Sequence, residues 1–321
     1  MKFYVLFALM FSLAARGFSS YDSCNVANYY VLKNKAELAI IDGNLQQAAD
    51  FYKQAFQYKF ANAKDLKNAF SVAYQLRDSM LAREYSNILA REGIATKYTW
   101  IALDSANNPS MFNYVVQDED SLYKSNVYKY QLHAHLFFDS LDKIDNYLRT
   151  HDVSLDSANI ADSMVVTATI DFIKTNGYPV LDVNNPNAVP YNTLVFLYFI
   201  IWHARDKESF PVLDSLLSQE LLEGDLEPDE WIAFMLYRKG YHEKYGNAVW
   251  RLNWSELTPR QIAKINNNRK DLNLESLEDY KKKYDYEQQL QRQYGCGRYD
   301  HTYRFLNQFL VPPEGAIEAG Y

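Results

Sequence analysis

The chain has 321 residues and a formal net charge of −7, with 48% hydrophobic and 23% charged residues, enough apolar material for one large core or two ordinary ones. That balance excludes a disordered chain, and 11 Gly with 9 Pro are too few for the tight turns of a β-sandwich. The acid excess argues against non-specific nucleic-acid binding, and 27 Tyr with 18 Phe predict an aromatic core whose hydroxyls need partners.

Residues 1–20 have the charge, length and flanks of a secretory signal peptide: Lys2, then an apolar run from Phe3 to Ala15, then Gly17, Ser19 and Ser20. The run is too short to span a bilayer, so the expectation is an exported protein, periplasmic or extracellular, without a transmembrane segment. Without Lys2 and Arg16 the chain keeps 31 basic and 40 acidic residues, a net charge of −9. Cys24 follows, but Tyr21 and Asp22 fit a lipid-anchor signal badly. Cys24 and Cys296 are the only cysteines; an oxidising compartment permits a disulfide between them, and two separate thiols are the alternative.

From Asn25 the pattern is helical, with Tyr29, Leu32, Ala36, Ala39 and Ile40 at spacings of three and four. Asp42-Gly43-Asn44 predicts a turn, and Leu45–Tyr58 a second helix with Ala48, Ala49, Tyr52, Ala55 and Phe56 on one stripe. This helix–GNLQQA–helix unit resembles a tetratricopeptide repeat, a family whose stacked hairpins present a groove to peptides or proteins. A second unit follows (Leu66 to Leu76, then Ala82 to Leu89), though Arg77-Asp78-Ser79 lacks a turn glycine. An ordinary helical bundle with small contact residues is the alternative. Residues 21–95 are read as these hairpins and 96–160 as a helical connector. In the connector, His133 and His135 point about 200° apart on a helix, a poor metal site.

Residues 161–285 are read as a helical domain and 286–321 as a C-terminal helix and tail. Ala161–Asn176 is expected to stop at Gly177-Tyr178-Pro179. The apolar run Leu194–Trp202 is expected to be a core helix delivering His203 and Arg205, Phe210–Leu222 to stop at Gly224, and Glu227-Pro228 to open the next helix. Lys281-Lys282-Lys283, flanked by Glu278, Asp279 and Asp285, is expected to be a solvated helix face. The fold class is therefore all-α.

One series of residues resembles a bacterial domain family of unknown function. It runs Asp145-Asn146-x-x-Arg149, Gly177-Tyr178-Pro179, His203-Ala204, Arg238, Gly240-x-x-Glu243-x-Tyr245-Gly246, and Arg269-x-x-Leu272-x-Leu274-x-x-Leu277. The family pattern is D-Q-x-x-R, G-W-P, Q-H-A-D, D-R and G-x-x-Q-x-Y-G. The resemblance implies a mostly helical domain with polar positions clustered at helix ends, which makes Tyr178, Arg205, Glu243 and Tyr245 the candidate binding residues. Trp202, Arg205, Tyr237 and Glu243 depart from the pattern, which weighs against an enzyme.

The best catalytic constellation takes His203 as general base, Asp145 to orient it, and Arg149 or Arg238 as an anion clamp; a buried polar network of the same residues is the competing reading. No Gly-rich phosphate loop, H-E-x-x-H or C-x-x-C occurs, so no cofactor or metal is expected. The function expected is a binding or scaffold protein of the bacterial cell envelope acting through the N-terminal hairpins on a protein or peptide. The alternative is a hydrolase-like enzyme centred on His203 and Arg238.

Overall fold

The computed structural model describes residues 23–91, 94, 96–98, 105, 107–126, 132–151, 154–179, 197, 200, 210–228, 231, 244–246 and 254–294. Among these the chain is all-α, with no strand. None of the described helices is long and apolar enough to cross a membrane.

The first four helices form two hairpins: α1 (Ser23–Ile41), α2 (Leu45–Ala55), α3 (Ala63–Gln75) and α4 (Ser79–Arg91). Asn44 caps α2 by accepting from the Gln47 N–H, Asn62 caps α3 through the Asp65 N–H, and Asp78 accepts from the Leu81 N–H at the start of α4. Both hairpin turns have the same form. In the first, Gly43 sits at φ 73° while Asn44 N–H reaches back to Ala39 O; in the second, Arg77 sits at φ 60° while Asp78 N–H reaches Ala73 O. The missing glycine does not prevent the turn, because the guanidinium of Arg77 lies over the Tyr74 ring and against Met111.

Small residues set the spacing within the hairpins. Ala36, Ala39, Ala48, Ala49, Ala69, Ala73 and Ala82 are all buried in one core with Tyr52, Phe70, Tyr85 and Leu89. That core extends to Met111 and Val115 of α5 (Pro109–Val115). The next helix, α6 (Glu119–Asn126), packs on α4.

A second core lies between α7 (Leu132–Thr150), α8 (Leu155–Asn176) and α9 (Phe210–Glu223). It stacks Phe137, Phe138 and Phe172, with ring centroids 4.9 to 5.1 Å apart. Full burial of a ring such as Phe138 or Phe172 contributes roughly 1.5–3 kcal/mol, and the partly buried Phe137 less. Leu197 and Ile200, from the apolar run expected to be a core helix, are buried here. The Ser154 cap lets α8 start earlier than the hydrophobic pattern suggested, and it ends at Gly177 as expected. Two further helices, α10 (Pro259–Lys270) and α11 (Leu277–Tyr294), close the described chain. A Thr258–Gln261 capping box opens α10.

The C-terminal half touches the N-terminal hairpins along α1. The turn after α9 packs Gly224 so tightly that a Cβ there would lie 2.9 Å from Val26 Cγ2. At φ 83° that position also suits glycine on conformational grounds. Further along α1, α11 lies alongside, and Tyr286 reaches the first core.

Candidate functional site

The junction between α1 and the C-terminal half is built from charges. Lys33 is buried beside Asp65 Oδ1 at 3.3 Å and Glu227 Oε2 at 3.6 Å. Lys59 holds the other Glu227 oxygen at 3.0 Å and lies over the Tyr29 ring. Tyr29 donates its hydroxyl to Asp65 Oδ2 at 2.5 Å, and Asn62 Nδ2 donates to the same oxygen at 2.9 Å. One turn further along α1, Lys283 of α11 pairs with Glu37 and lies 3.7 Å from Glu275. Arg269, only 1% exposed, completes the set. Its Nε donates to Glu275 O at 2.6 Å, its Nη1 to Tyr245 O at 2.8 Å, and its plane covers the Tyr280 ring at 4.7 Å.

Burial in such a place penalises every charged form, and the partners decide each outcome. Burial pushes the Glu227 carboxyl up, but Lys59 and Lys33 overcome it and hold the pKa at about 2. Glu275 is likewise held low by Lys283 and Arg269 against the effect of burial. Burial wins at Glu37, raising it to about 7 despite Lys283 and Lys33, and it also raises Asp65 above its usual range. Burial opposes the charge on Lys283, yet Glu275 and Glu37 together raise its pKa. The two members of the Glu37–Lys283 pair differ because two carboxylates face the lysine, whereas one Glu37 oxygen has no donor.

The sequence placed none of this here. Lys281 and Lys282 do face outward, bonded to Asp285 and Asp42, but Lys283 is buried, so the expected solvated face is corrected at that residue. Its position continues the buried stripe of Leu277 and Tyr280, and that spacing was the available signal. Glu227 does precede the helical turn at Pro228, yet its carboxylate is spent on Lys33 and Lys59. On α1, Lys33 and Glu37 lie at helical spacing between the buried Tyr29, Ala36 and Ile40, which marks them as core-facing.

The buried carboxylate of Glu119 is a contrasting case. Glu119 accepts from Ser86 Oγ at 2.6 Å, Thr96 N at 3.0 Å and Lys97 N at 3.1 Å, and also from the Thr96 hydroxyl. Its oxygens are filled by the chain itself, and it locks the 3₁₀ turn Thr96–Tyr98 onto α4 and α6. A third acidic group, Glu220, Glu223 and Asp225, brings carboxylate oxygens within 4.8 Å of one another at the end of α9. Burial and the two neighbouring acids raise Glu220 to about 7, while the Tyr178 backbone bonds it.

Of the residues expected to form a site, Asp145, Tyr178 and Tyr245 are described. Asp145 is half-buried on α7, and Arg149 follows it one turn later. Tyr178 and Tyr245 are both buried in the second core, where Tyr245 meets the Trp231 ring edge-on at 5.7 Å. His203, Arg205, Arg238, Glu243 and Cys296 lie outside the described residues, as does the segment read as a signal peptide. Cys24 falls in the first turn of α1. Among the motif residues that carried the family resemblance, Arg269 ties Tyr245 to Glu275. No family model, no curated protein and no solved structure matches the chain.

Proposed function

We propose that this chain is an exported helical binding or scaffold protein of the bacterial cell envelope, acting on a protein or peptide partner through its N-terminal hairpins. The observation that carries the reading is the set of large apolar side chains those hairpins leave in solvent. Met80 is 75% exposed, Phe60 57% and Val31 55%. Large exposed apolar groups favour association with a partner surface where they lie together. Lys33 and Glu37 of α1 are engaged by Glu227 and Lys283, so a partner is sought at the exposed Phe60, after α2, and Met80, in α4.

A photo-crosslinking amino acid at Phe60 or Met80, in cells that make the protein, tests this. Both positions are expected to give a discrete adduct, and the exposed position Lys270 on α10 none. Equal labelling at all three positions, or none at any, removes the proposal. Fractionation of the same cells checks export.

A further inference from the structure

We propose that the outward face of the α7–α8 hairpin is a docking surface for a cationic amphipathic helix of another protein. Of the thirteen large apolar side chains exposed among the described residues, five lie on these two helices. They are Leu136, Ile144, Tyr147, Ile160 and Met164, each between 47 and 67% exposed. At about 100° per residue, Leu136, Ile144 and Tyr147 fall within roughly 80° of arc on α7, on the side away from the buried Phe138 and Leu141. Ile160 and Met164 are neighbours one turn apart on α8, opposite Val166 and Ile173, which are buried in the same core.

The two sets form one surface. Residues 151–154 alone join Thr150 to Leu155, so α7 and α8 are antiparallel neighbours, and they pack on each other. The axes of such a pair lie about 8–10 Å apart. Counted from that connection at about 1.5 Å per residue, Tyr147, Ile144, Ile160 and Met164 stand within a band of about 10 Å of height. Both helices bury one face in the second core, so their opposite faces look the same way. His151 steadies one anchor: its Nδ1 donates to Tyr147 O at 2.9 Å, and its ring stacks on that of Tyr147 at 4.0 Å.

Charge selects the occupant. The two helices carry Asp139, Asp142, Asp145, Asp156, Asp162 and Asp171 against Lys143, Arg149 and Lys174. Lys143 is paired with Asp139 at 2.6 Å, and the exposed Asp171 lies on the same stripe of α8 as Ile160 and Met164. A second copy would set acid against acid, and an anionic membrane would be repelled likewise. A helix with apolar anchors at i, i+3 or i+4 and i+7, and with lysines or arginines on its flanks, meets both features. Its apolar side covers the five side chains and its cations meet the aspartates. Met164, unbranched and polarisable, adapts to the anchor it receives.

The test uses the purified chain and a fluorescein-labelled synthetic helix built of leucine and lysine alone, with a counterpart in which glutamate replaces every lysine. Fluorescence anisotropy is the readout, at low and at physiological ionic strength. The lysine helix is expected to bind saturably and more weakly in salt, and the glutamate helix about tenfold or more weakly still. Met164→Gln and Tyr147→Ser, both at exposed positions, are each expected to weaken the lysine helix about fivefold or more with unchanged circular dichroism. Leu222→Gln, at an exposed apolar residue of α9, is expected to leave it within about twofold. No saturable binding, equal binding of the two helices, or equal weakening by Leu222→Gln overturns the proposal. So does wild-type affinity in either Met164→Gln or Tyr147→Ser, since binding then rests on charge alone. Sedimentation of the chain by itself supplies the last outcome: a dimer that Met164→Gln dissociates means that a second copy covers the face, which also overturns the proposal. The crosslinking at Phe60 and Met80 reads a different region, so failure here leaves that result untouched.

Discussion

The two sides of α1 are held by different physics. Toward α2 it presents Ala36, Ala39 and Ile40 to Ala48, Ala49 and Tyr52, a dry contact of small residues. Toward the C-terminal half it presents Lys33, Asn34 and Glu37 to Glu227, Asp279 and Lys283. The dry side gains free energy from the apolar area it buries, without directional bonds. The ionic side gains little net energy after desolvation, but it admits few arrangements, because a displaced charge is stranded. The apolar contact makes the hairpin stable, and the charged contact fixes where the rest of the chain docks.

The largest effect should come from stranding a charge. Lys59→Met leaves Glu227 with Lys33 as its one cation among the described residues, beside hydrogen bonds from Asn62 and Tyr30, and a loss of about 3–5 kcal/mol is expected in urea unfolding. The double variant Lys59→Met with Glu227→Met should lose distinctly less than the single. If the double is as unstable as the single, or worse, the junction owes its strength to attraction and the contrast drawn here fails. On the dry side, Ala48→Leu should cost about 1–3 kcal/mol by overpacking, with no change in the pH dependence of stability.

The pH response separates the two sides further. Glu37 and Glu220 bind protons more tightly in the folded state, near 7, than unfolded carboxyls do near 4.5. Their contribution is complete below about pH 4.5 and is lost as the pH rises through 7. Glu227, held near 2, acts the other way: its contribution is present above about 4.5 and is lost as pH falls toward 2. Melting temperature should therefore be highest at about pH 5 and fall toward pH 8, and Glu37→Gln should flatten that upper limb. A profile that climbs between pH 5 and 8 would contradict the buried setting of both carboxyls.

The smallest effect concerns the hairpin turns. Gly43→Ala meets no atom within 4 Å, so its expected loss of about 1 kcal/mol is purely conformational. Arg77→Gly relieves the same backbone strain but gives up the contacts with Tyr74 and Met111, and a net change within about 0.5 kcal/mol is expected by thermal denaturation.

Much of the helical layout was legible in the sequence, because it rests on local rules. Asn44, Thr258-Pro259, Gly43, Gly177 and Gly224 punctuate helices where their chemistry demands. The candidate site was not legible, since it depends on pairs such as Lys283 with Glu37 that no local window contains. A charged residue inside an apolar stripe was the one local clue, and Lys33, Glu37 and Lys283 all carry it. The run of three lysines hid it, because composition averages over a face that periodicity divides. Tyr178 and Tyr245, singled out by motif, proved to be core aromatics, since a conspicuous turn motif also arises where a chain must pack tightly.

The junction also has a consequence for how the chain is made. Lys283 stands 246 residues after Glu37, and Glu227 stands 168 after Lys59. As the polypeptide emerges from its N-terminus, the first hairpins are complete long before those partners are synthesised. A docking surface of alanine and leucine would meanwhile be sticky. Lys33, Asn34 and Glu37 keep much of that surface hydrated beside the apolar Val26 and Tyr30, which disfavours self-association of the waiting hairpins.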